Sequence, residues 1–238
     1  MEKDKKKVVL VTGGTKGIGR SIALLLLKNH YNTLITYSND DVSAKAMKNE
    51  LTKIGYSNFH IIKADVSKKE NTIKLISIAK ERWNASISYV VNNAGILKQG
   101  NFFDLKNEEW DKTFSVNLKG VFYLCQKLMP IMKKNGGGSI VNIVSIGAQT
   151  GGKLAPDYAA SKGALITFTQ SMAMLGADMG IRVNAVSPGW IDTGIFTPER
   201  YLSIAEEAKT KIPLKRLGKP EEVAEAVMFL LTKKSSYI

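Results

Sequence analysis

Short apolar runs alternate along the chain with longer segments whose apolar residues recur at helical spacing. The runs predict six buried strands, at Val8 to Thr12, Thr33 to Tyr37, Phe59 to Ile62, Tyr89 to Val91, Ser139 to Val144 and Arg182 to Ser187. The longer segments predict helices at Arg20 to Asn29, Val42 to Lys53, Glu70 to Arg82, Glu108 to Lys134, Pro156 to about Met179, Ser203 to Lys211 and Pro220 to Leu231. Repeated strand–helix units predict an α/β fold, a single-domain, Rossmann-type, doubly wound parallel sheet with helices on both faces.

Two segments depart from this regular alternation. The long helical pattern that ends at Lys134 is expected to bend near Pro130. Residues from about 189 to 215 form a looser stretch with Pro, Gly and Thr, and its apolar members are Trp190, Ile191, Ile195, Phe196 and Tyr201. We expect a mobile apolar flap over a substrate pocket, the alternative being a surface segment packed for stability. With a basic tail at residues 1–7 and no linker, residues 1–238 are expected to form one dinucleotide-binding and catalytic domain.

The composition excludes several classes of protein. The chain has 238 residues, a net charge of +13, two histidines and the single Cys125. No disulfide can form within the chain, no His-based metal site is available, and no apolar run approaches the ~20 residues of a membrane span. Because the lysines are scattered rather than gathered on one stripe, we expect no nucleic-acid or membrane partner, although an anionic ligand would benefit from the charge. The single cysteine favours a reduced, cytoplasmic setting.

A glycine-rich turn joins the first predicted strand to the first predicted helix. It reads Thr12-Gly13-Gly14-Thr15-Lys16-Gly17-Ile18-Gly19. Gly13 and Gly17 let the backbone turn tightly and approach a pyrophosphate, and Gly19 permits close packing of helix on strand. The helix N-terminus adds free N–H groups and a positive dipole end. In this context the turn predicts a nucleotide site rather than a purely structural turn.

The end of the second predicted strand bears on the choice of cofactor. An acidic residue there would bind a ribose 2′-hydroxyl, whereas its absence leaves room for a 2′-phosphate. Tyr37 and Ser38 are uncharged, and Lys16 and Arg20 add positive charge nearby. NADP(H) is therefore favoured over NAD(H), unless the strand runs longer and Asp40 takes the acidic role.

A tyrosine and a lysine stand four residues apart in the fifth predicted helix. Tyr158 and Lys162 would leave the same helix face. A phenol titrates near ~10, and a neighbouring positive charge lowers that pKa. The pair therefore predicts a general acid/base with its own tuning residue, the alternative being a solvated lysine beside a half-buried tyrosine. Asp65, Asn92 and Ser145 follow predicted strands, at the edge of the sheet where ligands bind.

These motifs together resemble those of the short-chain dehydrogenase/reductases. The matching residues are Thr12-Gly13-x-x-x-Gly17-Ile18-Gly19, Asn92-Asn93-Ala94-Gly95, Asn117, Ser145, Tyr158-x-x-x-Lys162 and Pro188-Gly189. The resemblance implies that Tyr158 exchanges a proton with the substrate oxygen, which Ser145 holds and polarises. It also implies that Lys162 lowers the tyrosine pKa and contacts the nicotinamide ribose, and that Asn117 interrupts its helix and anchors a water.

The resemblance also implies a set of cofactor-binding residues. Asp65 and Val66 would contact the adenine, Asn92 would tie the central strands and line the site, and Thr193 would contact the nicotinamide carboxamide. The full expected set is Gly13, Thr15, Lys16, Gly17, Ile18, Gly19, Tyr37, Ser38, Asp65, Val66, Asn92, Ala94, Gly95, Tyr158, Lys162, Pro188, Gly189, Ile191 and Thr193.

Within the family, the pattern is most similar to bacterial 3-oxoacyl-acyl-carrier-protein reductases and glucose-dehydrogenase-like enzymes. It implies an NADP(H)-dependent oxidoreductase for a small-molecule or acyl-thioester substrate, with an acyl carrier protein as a candidate partner. Two features of this sequence depart from the pattern of these reductases. Met129 and Met174 stand where typical carrier-protein reductases place docking arginines. The family pattern also continues past Ile238 with a last strand, so either a tail is missing from the sequence or the protein lacks a strand that usually helps form the oligomer.

The sequence leaves two alternative functions open and predicts an oligomer. The enzyme could act on a small free ketone, sugar or polyol, or the chain could be a cofactor-binding regulatory protein that kept the fold. The helices around Asn117 and Tyr158 carry more apolar residues than one buried face needs: Phe122, Leu124, Phe168, Met172 and Met174. Family members usually assemble through these helices, so a homotetramer or homodimer is expected.

Overall fold

Six parallel strands form the sheet at the centre of the protein. The computed structural model describes residues 7–193 and 198–238, without the side chains of 198–200. The strands are β1 (Val8–Val11), β2 (Asn32–Tyr37), β3 (Phe59–Lys63), β4 (Ile87–Asn92), β5 (Gly138–Ile143) and β6 (Ile181–Val186). Their order is β3-β2-β1-β4-β5-β6. The order reverses between β1 and β4, so the crevice beyond the carboxyl ends of these two strands is the place where such sheets bind ligands.

Nine helices are described around this sheet. They are α1 (Gly17–Lys28), α2 (Asp41–Ile54), α3 (Lys69–Trp83), α4 (Asn107–Phe114), α5 (Gly120–Lys134), α6 (Gly147–Thr150), α7 (Pro156–Ala177), α8 (Pro198–Lys211) and α9 (Pro220–Leu231). Short 3₁₀ turns lie at Phe102–Asp104 and Lys233–Ser235. The six predicted strands are confirmed, with ends that differ by at most two residues.

Helices cover both faces of the sheet, as predicted. Alternate residues of β1 point to opposite faces, so Val8 and Leu10 join the core under α3, α5 and α7, whereas Val9 and Val11 join the core under α1 and α9. A third cluster packs α1 and α2 against Ile35 of β2. Because each face is buried, the strands are continuous apolar runs rather than alternating ones.

The long helix predicted up to Lys134 is two helices joined by a π-helical turn. The π turn spans Ser115–Lys119 and contains Asn117, and α5 continues from it. Pro130 lies inside α5. The change of helix type therefore falls at Asn117, which the resemblance implied would interrupt its helix, and not at Pro130, near which a bend was expected.

The segment after β6 is anchored at both ends. Asp192 N donates to Gly218 O at 2.9 Å, and Gly218 N donates to Trp190 O at 2.9 Å. Between these contacts α8 begins at Pro198, earlier than the predicted Ser203. Ile195 and Phe196 of the predicted flap lie outside the described residues, as does most of the predicted N-terminal tail; Lys7 donates to the Tyr89 hydroxyl at 2.8 Å.

Candidate active site

One large cleft opens at the carboxyl ends of the strands. Its volume is about 2590 Å³, and it runs from the glycine turn past the ends of β4 and β5 to α8. Nearly all the predicted site residues line it: Gly13, Thr15, Lys16, Gly17, Ile18, Gly19, Tyr37, Ser38, Asp65, Val66, Ala94, Gly95, Ser145, Tyr158, Lys162, Pro188, Gly189, Ile191 and Thr193. The structure thus brings distant parts of the sequence to one surface.

The glycine turn has the shape that a phosphate-binding loop needs. Gly13 and Gly17 have φ of 61° and 50°, a region that favours glycine. A Cβ on Gly19 would lie 2.3 Å from Gly13 O, so only glycine lets α1 approach the loop this closely. Lys16, the N-cap of α1, makes no side-chain hydrogen bond to the first turn. The N–H groups of that turn are therefore free for an anion, and the residues present fit a dinucleotide's pyrophosphate.

Asn93 is a site residue that the sequence reasoning missed. Its side-chain N–H₂ donates to Thr12 O at 3.0 Å and to Gly13 O at 2.9 Å, while its backbone N–H donates to Thr12 Oγ1 at 3.0 Å. These bonds tie the end of β4 to the glycine turn. The residue stands inside the Asn-Asn-Ala-Gly motif, but spacing alone does not show which asparagine reaches the turn.

The neighbouring Asn92 lies inside the sheet. It is fully buried, and its side-chain N–H₂ donates to Asn142 Oδ1 at 2.7 Å, joining β4 to β5. It ties the central strands as expected, and it is not among the described residues that line the cleft. Its partner Asn142 donates to Thr169 of α7, so the Asn92 side chain lies on the sheet face that α7 covers. A contact of Asn92 with the cofactor stays a prediction.

Charged residues at the adenosine end of the cleft are paired with one another. Lys16 Nζ lies 2.7 Å from Asp40 Oδ2, and Arg20 makes two hydrogen bonds to the Glu50 carboxylate. β2 ends at Tyr37, and Asp40 instead caps α2 by accepting from Ser43 N at 2.9 Å. Hydrogen bonds from Lys16 and Ser43 hold the pKa of Asp40 well below its usual range. Asp40 is thus a permanent anion beside the lysine that was expected to meet a 2′-phosphate.

Asp65, Val66 and Thr193 all line the cleft. Asp65 Oδ1 accepts from Ser67 N at 2.9 Å and from Ser67 Oγ at 2.7 Å. Val66 packs against Gly120, where an added Cβ would lie 3.0 Å from the valine. Thr193 packs against the glycine turn, with its Cβ 3.1 Å from where a Gly17 Cβ would be. The contacts of these residues with a dinucleotide stay predictions.

Lys162 is buried in the wall of the cleft. Its side chain is 3% exposed and its ammonium donates to Ile143 O at 2.7 Å. Burial lowers the pKa of the Lys162 ammonium to about 8. The Nζ atom lies 5.8 Å from the centre of the Tyr158 ring, as expected for residues four apart on one helix.

Tyr158 lies beside Ser145, which follows β5, and both line the cleft. Burial raises the pKa of the Tyr158 phenol, and the nearby Ser145 hydroxyl partly opposes the rise. The sequence reasoning expected a lowered pKa. The direction is opposite because the loss of water around the phenol outweighs the charge of Lys162, whose ammonium contacts a backbone carbonyl instead of the phenol oxygen. Tyr158 is therefore protonated at neutral pH.

Asn117 fixes the loop after β4 from the centre of the π turn. Its Oδ1 accepts from Ile96 N at 2.8 Å, and its Nδ2 donates to Ile96 O at 3.1 Å and to Ser161 Oγ at 3.0 Å. It is fully buried and does not itself line the cleft. Its contacts join three segments that carry site residues, so its role here is to hold the site together.

The two methionines that stand where carrier-protein reductases place docking arginines differ in exposure. Met129 is 3% exposed and belongs to the core, as does Leu124, whereas Met174 is 74% exposed. Met129 is therefore not available for a partner in this structure. The reason is that α5 turns this residue, like Cys125 and Leu128, toward the sheet.

Within the described ranges 7–193 and 198–238, no helix is long and apolar enough to cross a membrane. The same ranges hold no group of three or more His, Cys, Asp or Glu side chains arranged to bind a metal ion.

Comparisons with known proteins identify the family. Residues 13–238 match a family model described as "Enoyl-(Acyl carrier protein) reductase". Together with the relatives below, this match shows that the chain belongs to the short-chain dehydrogenase/reductase family of oxidoreductases. The glycine turn and the strand order agree with the nicotinamide cofactor that the family implies.

Three relatives illustrate the range of similar proteins. The chain is 37% identical to 3-oxoacyl-[acyl-carrier-protein] reductase of Staphylococcus epidermidis over 98% of its length and 94% of the relative's. It is 36% identical to acetoacetyl-CoA reductase of Rhizobium meliloti over 98% and 93%. A crystal structure described as short-chain dehydrogenase/reductase, glucose/ribitol dehydrogenase, from Brucella melitensis superposes with a TM-score of 0.88 at 34% identity, covering 98% and 92% of the two chains.

Proposed function

We propose that this chain reduces a 3-oxoacyl thioester to the 3-hydroxyacyl thioester with NADPH, as a 3-oxoacyl-[acyl-carrier-protein] reductase-like carbonyl reductase. The observation that carries the proposal is the pair of hydroxyls on Ser145 and Tyr158. Both hydroxyls line the cleft side by side, and the buried Lys162 ammonium lies one helical turn from Tyr158. Two hydroxyl donors at one point suit the oxygen of a carbonyl that gains negative charge.

The proton needed for reduction comes from Tyr158. Bound NADPH supplies the hydride. Since its pKa is raised, the phenol keeps its proton at neutral pH and can donate it to the carbonyl oxygen as charge develops there. Ser145 donates a hydrogen bond to the same oxygen and holds it in place. General acid catalysis of this kind contributes typically about 100- to 10,000-fold.

Lys162 supports the step from behind. With a pKa of about 8, its ammonium is mostly charged at neutral pH and stabilises the phenolate that Tyr158 becomes after it gives up the proton. Asn117 keeps this arrangement fixed through its contacts to Ile96 and Ser161. Catalysis is thus assigned to Ser145, Tyr158 and Lys162, with Asn117 as the residue that positions them.

The choice of NADPH rests on the adenosine end of the cleft. Tyr37 and Ser38, where β2 ends, carry no charge, and Lys16 lies beside them. A 2′-phosphate would draw the Lys16 ammonium away from Asp40, with which it is paired at 2.7 Å. Because Lys16 must exchange one anion for another, we expect a preference for NADPH that is moderate rather than absolute.

The choice of a thioester rests on the relatives named as 3-oxoacyl-[acyl-carrier-protein] and acetoacetyl-CoA reductases. A free ketone, sugar or polyol is the second candidate. It is favoured by the name of the Brucella structure and by the uncharged Met129 and Met174 where carrier-docking arginines were expected. We place thioesters first because two relatives at similar identity name them.

We further propose a homotetramer built on the outer faces of α5 and α7. Phe122, Met174 and Leu175 remain exposed there, whereas Phe168 and Met172 pack partly against the core. Light scattering is expected to give four times the mass of the chain; a stable monomer would contradict the assembly.

The test of the function is a substrate panel with NADPH and NADH in parallel. It contains acetoacetyl-CoA, a 3-oxoacyl carrier-protein thioester, small free ketones, and sugars and polyols assayed for oxidation. We expect the highest kcat/KM with a 3-oxoacyl thioester and NADPH. A higher kcat/KM with a free ketone, sugar or polyol would move the assignment to the second candidate. Tight NADPH binding with no turnover of any compound would refute the enzymatic proposal.

A further inference from the structure

Two buried polar contacts join α7 to α4 and the π turn, next to Tyr158 and Lys162. Thr113 Oγ1 donates to Asp157 Oδ2 at 2.6 Å, and Asn117 Nδ2 donates to Ser161 Oγ at 3.0 Å. All four side chains are at most 3% exposed. Thr113 and Asn117 are four residues apart, and so are Asp157 and Ser161. The two contacts therefore lie about one helical turn apart along α7.

Each contact on α7 precedes a catalytic residue by one position. Asp157 is followed by Tyr158, and Ser161 is followed by Lys162. Ser161 Oγ also donates to Tyr158 O at 2.7 Å. Because neighbouring residues of a helix have fixed relative directions, the contacts that set the rotation of α7 also set where the phenol of Tyr158 points. The position of the phenol beside Ser145 in the cleft depends on that direction.

Asp157 is a buried carboxylate that the proposed chemistry does not use. A buried carboxylate is costly unless hydrogen bonds and favourable charges compensate it. Here the short bond from the Thr113 hydroxyl is charge-assisted, and Asp157 is the second residue of α7, at the positive end of the helix dipole. The compensation comes from α4 and from α7 itself, so the carboxylate fastens one helix to the other.

We propose that Thr113 and Asp157 are positioning residues for Tyr158. Their hydrogen bond fixes the first turn of α7 against α4, while the contact of Asn117 with Ser161 fixes the next turn. The two contacts together hold the phenol beside Ser145 in the cleft. The inference rests on the proposed function, because it assigns these residues a role in the proton transfer from Tyr158.

The test removes the hydroxyl of Thr113, which donates to Asp157, and then restores it. In Thr113→Val we expect kcat to fall about tenfold, or about 1.4 kcal/mol, with KM and the Kd for NADPH within about twofold of wild type. A misplacement of about 1 Å costs about 100-fold, and the remaining contact of Asn117 limits the loss. Thr113→Ser keeps the hydroxyl and should restore kcat to within about twofold. Asp157→Asn keeps an acceptor oxygen and should stay within about threefold.

A matched control separates positioning from general stability. Thr169 is another buried threonine on α7; its hydroxyl donates to Leu165 O at 2.7 Å and accepts from Asn142 Nδ2 at 2.8 Å, away from the cleft. Thr169→Val should lower Tm with kcat unchanged. Should Thr113→Val not fold, Thr113→Ala makes the same test with room for a water beside Asp157. Unchanged kcat in the Thr113 variant, or equal losses in Asp157→Asn and Thr113→Val, would overturn the proposal.

Amide hydrogen exchange gives a readout that needs no substrate. We expect exchange of the 158–162 amides to be about tenfold faster in Thr113→Val, to return to the wild-type rate in Thr113→Ser, and to be unchanged in Thr169→Val. If the wild type turned over no compound of the panel but showed this pattern, the proposed function would fail and the positioning contact would stand. Unchanged exchange in Thr113→Val would overturn the contact whatever the activity.

Discussion

Replacing Lys162 by methionine should stabilise the protein while it removes activity. The ammonium is buried, and its pKa is lowered from the ordinary 10.5 to about 8. At about 1.4 kcal/mol for each unit of pKa, keeping the charge inside the folded protein costs about 3 kcal/mol. Methionine has a similar length and no charge, so this cost disappears in the variant. The lost hydrogen bond to Ile143 O offsets about 1 kcal/mol, which leaves a net gain of about 2 kcal/mol at neutral pH.

The sign of the pH dependence is fixed by the lowered pKa. Below pH 8 both the folded and the unfolded states carry the Lys162 proton, and the full cost is present. Between about pH 8 and pH 10.4 the folded state has lost the proton and the unfolded state keeps it, so wild-type stability rises with pH relative to the variant. The advantage of Lys162→Met should therefore shrink across this window and reverse at its upper end.

The assay is urea unfolding of both proteins from pH 6 to pH 10.5, with the difference in the free energy of unfolding plotted against pH. The control is Lys45→Met, which changes an exposed lysine on α2 and should show no such trend. Turnover of the thioester substrate should fall at least about 100-fold in Lys162→Met. A difference in stability that stays constant with pH would refute the claim that the buried ammonium has a lowered pKa.

Two further predictions concern the cofactor end of the cleft. Asp40→Asn releases the Lys16 ammonium from its 2.7 Å ion pair, so in a fluorescence titration the Kd for NADPH should fall severalfold while the Kd for NADH stays unchanged. Weaker NADH binding in this variant would contradict the prediction, because it would show that Asp40 holds a ribose hydroxyl. Gly19→Ala places a Cβ 2.3 Å from Gly13 O and should raise the Kd for both cofactors more than about tenfold, whereas Gly100→Ala, with nothing within 4 Å of the added carbon, should bind normally. Equal binding by the two glycine variants would show that close approach of α1 to the loop is not required.

Local signals in the sequence were enough to predict the sheet and the place of the site. Buried parallel strands are continuous apolar runs, so the six strands could be found without knowing their partners. Their shared direction then put the glycine turn, Asp65 and Ser145 at one edge. The strand–helix order is sufficient here because parallel sheets join successive strands through helices.

Contacts between distant residues were beyond the sequence reasoning. Lys16 and Arg20 were interpreted as free positive charges, but each is paired with a carboxylate of α2 or its cap. Burial decided the pKa direction of Tyr158, and burial depends on the packing of several segments. Spacing could not distinguish Asn92, which bonds Asn142 of the next strand, from Asn93, which reaches the glycine turn.

The long helices show the same limit. Pro130 was the local signal for a bend, whereas the interruption at Asn117, where the structure has a π turn, was implied only by the family resemblance. That turn is stabilised by contacts to Ile96 and Ser161, which lie in other parts of the chain. The role of Asp157 could not be predicted from the sequence, because its hydrogen bond from Thr113 exists only once α4 and α7 are packed together.

The most direct test of the proposed mechanism is the turnover of Tyr158→Phe with NADPH and a 3-oxoacyl thioester, measured beside the binding of NADPH. The substitution removes one hydroxyl from a half-buried ring. We predict that the Kd for NADPH stays within about twofold of wild type and that kcat falls by about 100- to 10,000-fold, the range of a lost general acid. Near-normal turnover in this variant would contradict the assignment of Tyr158 as the proton donor.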